Sequence, residues 1–381
     1  MKKSLIALAA LATVATAAQA QSSVTIYGVI DAGVASVTNV GSTAASAKTN
    51  TGMVNGGLST PRIGFKGTED LGGGLKANFA LEAEFLADTG AQTSTAEALF
   101  ARESSVGLSG NFGEVKLGRI NTFGYGLLAK FDALGGNNVG GAVATGQRQA
   151  RIENAVQYMS PVFNGVQLGL QSGTRTSSTT NTYGEIAGDT SANRINSLAL
   201  TYDQGPLELA YIYSTQNDYN GDKMLDFNTA FARYNFGVAR VVLGYSKQNI
   251  DRKAASGNTT AGYYTTASTN TSTAVSGSDQ TSSEKLFLGA NVPVTANVTI
   301  NAQVEQIEYK YFDGVKKKPT IYTLGANYAF SKRTTAYAIY SKVDQDNGST
   351  QDMVDTGKWS GFAGGSTKDR SAAVVGIRHT F

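Results

Sequence analysis

Apolar and polar residues alternate along most of this chain with a period of two, the signature of strands with two unlike faces. From position 75 to 85, Leu75, Ala77, Phe79, Leu81, Ala83 and Phe85 share one parity, while Lys76, Asn78, Glu82 and Glu84 share the other. Leu207, Leu209, Tyr211 and Tyr213 stand opposite Glu208, Ala210, Ile212 and Ser214. Val298, Ile300, Ala302 and Val304 stand opposite Thr299, Asn301, Gln303 and Glu305, and Tyr322, Leu324, Ala326, Tyr328 and Phe330 form another such row. The chain ends on the same pattern: Ala373, Val375, Ile377, His379 and Phe381 line one side, and Val374, Gly376, Arg378 and Thr380 the other. One side suits lipid and the other suits water. In lipid, a sheet must close on itself, because an open edge leaves backbone groups without hydrogen-bond partners.

Turn signals divide the chain into sixteen candidate strands, at 23–37, 60–69, 74–88, 99–110, 114–120, 149–160, 165–173, 194–204, 206–215, 225–236, 238–249, 283–292, 296–309, 319–330, 333–343 and 370–381. Tight turns such as Asp70-Leu71-Gly72-Gly73, Asn111-Phe112-Gly113, Gln204-Gly205-Pro206 and Phe330-Ser331-Lys332 alternate with longer Ser, Thr, Asn and Gly-rich loops, as at 174–193 and 251–283. Outer-membrane barrels have this asymmetry, with the short turns on the periplasmic side. Segment 121–148 differs from the other loops. It carries Phe123, Tyr125, Leu127, Leu128, Phe131 and Leu134 among its glycines, and is expected to fold inward as a plug or constriction.

The first residues add an export route. Lys2 and Lys3, the apolar stretch from Leu5 to Leu11, and Ala18-Gln19-Ala20 read as a secretory signal peptide over 1–20. The apolar run is too short for a spanning helix, which needs roughly 18 residues. Residues 21–381 then form a single barrel domain, with no proline-rich or charged linker to divide them. The chain has no cysteine, so disulfides and thiolate chemistry are excluded. With 32 basic and 29 acidic residues, two of the basic ones in the leader, bulk charge points to no nucleic-acid partner.

Candidate enzyme chemistry is sparse. The single histidine, His379, is third from the end of the chain on the outer face, away from any nucleophile it would activate. Gly72-Gly73-Gly74 and Gly135-Gly136 lack the spacing of a nucleotide loop. The carboxylates are dispersed, and no His or Cys cluster would hold a metal. No catalytic residue, cofactor or metal site is expected. A serine-lysine or paired-carboxylate barrel enzyme, an adhesive barrel with a blocked lumen and a substrate-specific channel remain as alternatives.

The arginines fall at instructive places. Arg62 shares a face with Gly64 and Lys66, opposite Ile63 and Phe65, so it points to the lumen. Arg151 is read in the same way, sharing its face with Glu153 and Gln157, opposite Ile152, Val156 and Tyr158. Around Arg102 the alternation puts Glu103 on the outer face and Val106 on the inner one, as though this strand met another subunit.

Four segments carry a family resemblance. They are Ser23-Val24-Thr25-Ile26-Tyr27-Gly28-Val29-Ile30-Asp31-Ala32-Gly33-Val34, the run from Arg62-Ile63-Gly64-Phe65-Lys66-Gly67 to Ala77, Val106-Gly107-Leu108-Ser109-Gly110-Asn111-Phe112-Gly113, and Val375-Gly376-Ile377-Arg378-His379-Thr380-Phe381. Together they bracket residues 23–381, and the sequence resembles the Gram-negative general porins, in particular the neisserial and Burkholderia-like porins of beta-proteobacteria. The resemblance implies a sixteen-stranded, homotrimeric barrel in the outer membrane whose third extracellular loop narrows the lumen. It implies a basic wall of Arg62, Arg102 and Arg151 facing Asp132, the only carboxylate in 121–148, with Asp31 as a further lumen charge and Phe381 as the terminal assembly signal. The implied partners are outer-membrane lipid, lipopolysaccharide, the assembly machinery, ions and small hydrophilic solutes. The implied function is passive diffusion, with anions preferred because three arginines oppose one aspartate; Glu82, Glu84, Glu153 and Lys130 modify that balance. The loop departs from the Pro-Glu-Phe pattern of the enterobacterial porins.

Overall fold

A computed structural model describes residues 23–40, 48–92, 98–136, 139–142, 150–175, 191, 193–217, 221–250, 280–311, 313–354, 359, 361–362 and 367–381. The expected signal peptide, 1–20, lies outside the described residues, as do most of loops 174–193 and 251–283.

The alternating runs form strands β1 (Ser23–Val40), β2 (Lys48–Asn55), β3 (Arg62–Gly72), β4 (Leu75–Glu84), β5 (Glu103–Gly110) and β6 (Gly113–Asn121), then helix α1 (Phe123–Phe131). There follow β7 (Arg151–Met159), β8 (Val166–Arg175), β9 (Arg194–Gln204), β10 (Leu207–Asn217), β11 (Lys223–Asn235) and β12 (Arg240–Ile250). The last six are β13 (Gln280–Pro293), β14 (Val298–Tyr311), β15 (Lys316–Lys317), β16 (Thr320–Ala329), β17 (Thr334–Asp344) and β18 (Arg370–Thr380). They make a closed antiparallel barrel of 16 wall strands. The seam joins β1 to β18, from Val29↔Thr380 to Val37↔Ala372. On its other side β1 pairs first with β3 and then, beyond Val29, with β2. Closure leaves the wall without a free edge, as hydrocarbon requires.

Two strands had no counterpart in the sequence reading. β2 extends the wall beside the upper half of β1, and β15 pairs two residues with β14. The turns are as expected: Gly72, Gly73 and Gly74 between β3 and β4 all take positive φ, which only glycine adopts without strain.

The two faces follow the parity. Val24, Ile26, Ile30 and Val34 of β1, Leu286 and Leu288 of β13, and Val375 and Ile377 of β18 are all exposed on the barrel exterior. Such rows would be costly in water and suit lipid. Inward positions are buried, some of them polar, as Asn301, Gln303 and Glu305 of β14, and others apolar where inward segments pack on them, as Phe231, Phe287 and Ile339. The expectation for the strand after Arg102 is reversed. Val106 is 57% exposed on the outer face, whereas Glu103 accepts from Lys116 at 3.2 Å. β5 begins only at Glu103, so Arg102 lies in the preceding bend and does not share the strand's parity.

Several aromatic rings lie flat over glycines of a neighbouring strand. A Cβ on Gly64 would meet Cζ of Tyr27 at 2.4 Å, one on Gly376 would meet the Tyr337 hydroxyl at 2.2 Å, and one on Gly244 would meet the Phe287 ring at 2.2 Å. The absence of a side chain is what admits each ring.

Segment 121–148 does fold inward, over its described residues. Thr122 caps α1, its Oγ1 accepting the Tyr125 N–H at 3.1 Å. Phe123, Leu128 and Phe131 are buried against Ala210, Ile212, Phe231, Val242 and Phe287 of the wall. Phe131 stacks on Phe231 with centroids 5.1 Å apart. A second inward packing, between β17 and β18, went unread in the sequence. Met353, Val354, Trp359 and Phe362 join a buried cluster with Val37, Val54, Leu58 and Val139. The wholly buried Arg370–Asp352 pair, at 2.8 Å, holds that segment to the start of β18, and the Trp359 indole N–H donates to the Asn55 carbonyl at 3.2 Å.

Candidate functional site

The inward faces of β3 and β4 meet the bend before β5 where α1 begins, and there charged side chains converge. Arg62 at the start of β3 lies 3.6 Å from Glu82 of β4. Arg102 bridges two carboxylates of β4, its Nε bonded to Glu82 and its Nη1 to Glu84. Glu82 also accepts the Tyr27 hydroxyl at 3.1 Å. Arg151 joins from the far side of the inward loop, its Nε donating to the Arg102 carbonyl at 3.0 Å and its guanidinium lying 5.3 Å from the Tyr125 ring centroid. Arg119 closes the group, donating to the Ala101 carbonyl at 2.6 Å and pairing with Glu153.

The structure thus brings Arg62, Arg102 and Arg151 into one cluster. Its basic excess is smaller than three arginines against one aspartate, since Glu82, Glu84 and Glu153 sit among four guanidinium groups. The arginines differ in access to water. The Arg62 side chain is 28% exposed, whereas that of Arg102 is 7% exposed. Burial alone would favour neutral Arg102; the adjacent Tyr125 and Glu82 outweigh it and move its pKa above the ordinary arginine value.

Arg151 arrives by a route the alternation did not describe. Asn154 has a positive φ of 47°, and the β7–β8 register shifts between Glu153 and Val156. This bulge breaks the shared parity of Arg151 and Glu153 with Gln157. Ile152, read as outward, is fully buried with Ile120, Ala155 and Ile195.

Asp132 sits elsewhere. It follows the C-terminus of α1, about 10 Å along the helix axis from Tyr125, and is buried with its Oδ1 accepting the Leu134 N–H at 2.9 Å. The basic end of the helix has its own network: Lys130 lies 2.9 Å from both Asp203 and Glu208, and Arg233 pairs with Glu208 at 2.6 Å. Partial burial works against the Lys130 charge, but bonds from Asp203 and Glu208 raise its pKa overall.

Asp31 is wholly buried. It accepts the Tyr337 hydroxyl at 2.7 Å and the N–H groups of Gly57, Leu58 and Ser59 at 3.3, 3.0 and 2.7 Å. Those bonds fix the bend between β2 and β3, just before Arg62. Phe381 exchanges backbone hydrogen bonds with Gly28.

Sequence reasoning missed the parts played by Tyr125, Arg119 and Trp359. The signal for Trp359 was available: Met353, Val354, Trp359 and Phe362 are apolar residues in an otherwise polar loop, the argument that singled out 121–148.

The comparisons with known proteins agree with this geometry. The family model for Gram-negative porins matches residues 7–348. Outer membrane porin protein 32 of Delftia acidovorans is 32% identical over the full length of both chains. A major outer membrane protein P.IB of Neisseria meningitidis serogroup B is 38% identical over 45% of this chain and 49% of its own. A solved structure described as an anion-selective porin from Comamonas acidovorans superposes with a TM-score of 0.71 at 29% identity, covering 95% of this chain and all of that one. A closed barrel narrowed by its own inward loop, and a family match along most of the sequence, have one reading: the chain belongs to the Gram-negative porins and is a protein of the outer membrane.

Proposed function

We propose that this porin passes small hydrophilic solutes and ions by passive diffusion and prefers anions, and that Arg62, Arg102 and Arg151 form the basic side of its constriction. The observation that carries the reading is the convergence of these guanidinium groups at the N-terminal end of α1, the helix of the loop that folds inward. Fixed charge acts most strongly where a permeating ion has shed part of its water and low-dielectric walls reduce screening. Arg62, more exposed than Arg102, offers a direct contact. Asp132 lies in the loop wall, and Asp31 contributes by holding the bend that presents Arg62. The anion-selective description of the Comamonas structure supports the same sign.

The chain acts as a homotrimer after cleavage behind Ala20, with Phe381 serving the assembly machinery and with lipid and lipopolysaccharide around the exterior. The test is a planar bilayer under a salt gradient: the reversal potential should take the sign of anion permeation, and a cation-selective channel would overturn the proposal. Gel mobility of unheated outer-membrane material tests the trimer.

A further inference from the structure

Between α1 and the inward faces of β9 to β13 lies a cavity that the passage of ions does not use, with about 690 Å³ of free space when its open mouth is counted. Two chemistries meet in its lining. Leu128 of α1, with Ile212, Phe231 and Phe287 of the wall, forms a buried apolar floor. A belt of hydroxyls from four successive strands runs beside it: Ser197 of β9, Ser214 of β10, Thr229 of β11 and Ser246 of β12. Each is one inward position further from the short turns than Ala199, Ile212, Phe231 and Gly244 respectively. The belt is paired, since the Ser214 hydroxyl donates to that of Ser197 at 2.7 Å and the hydroxyls of Thr229 and Ser246 lie 2.9 Å apart. Within each pair one hydroxyl donates to the other, which leaves the second hydroxyl's proton and spare lone pairs to meet a guest.

This lining selects against three kinds of occupant. A held water needs two to four polar partners, and against the floor it meets Leu128, Ile212, Phe231 and Phe287, so an apolar group displaces it readily. A polyhydroxylated ring would press hydroxyls onto the same floor and leave them without partners. An anion finds no open charge. Lys285, the one charged side chain among the described residues of the lining, lies 3.0 Å from Glu305 and donates to the Ala142 carbonyl at 3.3 Å, and both members of that pair are buried. An uncharged single ring with one hydroxyl matches both surfaces. Its face extends the aromatic packing already made by Phe131, Phe231 and Phe287, whose successive centroids are 5.1 and 6.2 Å apart, and its hydroxyl completes a belt pair.

We propose that this cavity is a binding site for single-ring phenols, with the ring on the floor of Leu128, Ile212, Phe231 and Phe287 and the hydroxyl bonded to the Thr229–Ser246 pair. That pair is the one beside the floor: Thr229 is opposite Ile212 in the register and opposite Ser246 on its other side. The porin then holds an aromatic solute by shape and a hydrogen bond, a selection separate from the one that Arg62, Arg102 and Arg151 exert on ions. Helix α1 is common to both, since its Leu128 lines the cavity and its Tyr125 lies against Arg151. The site does not depend on the sign of the ion preference.

Fluorine NMR of the detergent-solubilised full chain tests it, with 4-fluorophenol, 4-fluorotoluene and 4-fluorobenzoate as probes and empty micelles as background. 4-Fluorophenol should bind about five-fold more tightly than 4-fluorotoluene, the effect of one hydrogen bond, and 4-fluorobenzoate should not compete with it. The combined variant Thr229→Val and Ser246→Ala should lose the advantage of the phenol while still forming channels in a planar bilayer, which shows that it folds. Wild-type crystals soaked in 4-bromophenol should place the anomalous signal of bromine between α1 and Phe287. Equal binding of the phenol and the toluene, an unchanged advantage in the variant, competition by the benzoate, or no bromine in the cavity would overturn the proposal. The reversal potential reports on the ion preference separately, so failure of one reading is distinguishable from failure of the other.

Discussion

Gly28 and Phe381, near the two ends of the described chain, exchange both backbone hydrogen bonds, N–H to carbonyl in each direction at 3.1 Å. The Phe381 ring covers the glycine so closely that a Cβ on Gly28 would meet Cζ at 2.3 Å and the Arg62 carbonyl at 2.7 Å. The last residue of the wall is therefore seated on the first strand by backbone pairing and ring packing together.

That seat predicts an assembly defect. Gly28→Val should displace the ring and lower the outer-membrane yield, as should Phe381→Ser, because both leave the seam of β1 and β18 poorly closed. A change at Ser268, in a polar loop outside the described residues, serves as the control. Yields measured after cell fractionation decide the matter, and equal yields for all three variants would remove any special role for the terminus.

Arg62 and Arg102 should separate selectivity from stability. Arg62→Gln removes the more exposed charge and should shift the reversal potential toward cations with little effect on folding. Arg102→Ala removes the guanidinium that Glu82 and Glu84 share in a buried site, and losing one partner of such a pair costs about 3–5 kcal/mol. The temperature at which the unheated gel form is lost should fall for Arg102→Ala and stay near wild type for Arg62→Gln.

Asp132→Asn should move selectivity toward anions, by less than Arg62→Gln moves it toward cations. The reason is its position, buried beyond the end of α1 and engaged with the Leu134 N–H. Reversal potentials of the two variants under one salt gradient provide the comparison.

Asp352→Ala should loosen the second inward segment. It leaves Arg370 charged and buried without its carboxylate and so frees Met353 and Val354 from the lumen cluster. Single-channel conductance should rise and become noisier. An unchanged trace would mean that this segment does not narrow the path of ions.

Much of the barrel was legible because a wall between lipid and water imposes a parity on its strands, and most strands between Val24 and Phe381 obey it. The alternation misled where the backbone departs from a regular strand. Asn154 inserts a residue into β7, and Arg102 sits in a bend, so neither Arg151 nor Arg102 can be assigned a face by counting. Arg62 is followed by an unbroken stretch of strand, and its parity was read correctly. Asp132 was chosen as the only acid in its segment, and composition carries no information about which end of a helix faces which wall. Glu82 and Glu84 were visible as inward residues, but their pairing with Arg102 depends on a fold of the chain between β4 and β5 that no periodicity records.

The rings laid over Gly64, Gly376 and Gly244 bear on the bore of the channel. Tyr27, Tyr337 and Phe287 all belong to the inward side, and each lies along the wall because its neighbour has no side chain. An alanine at Gly244 would press the Phe287 ring against α1, and one at Gly376 would press the Tyr337 ring against the segment of Met353, Val354, Trp359 and Phe362. The seating of the two segments that fold into the lumen is thus set partly by residues that contribute no side chain to it, and substitutions at these glycines would shift those segments without altering a single charge.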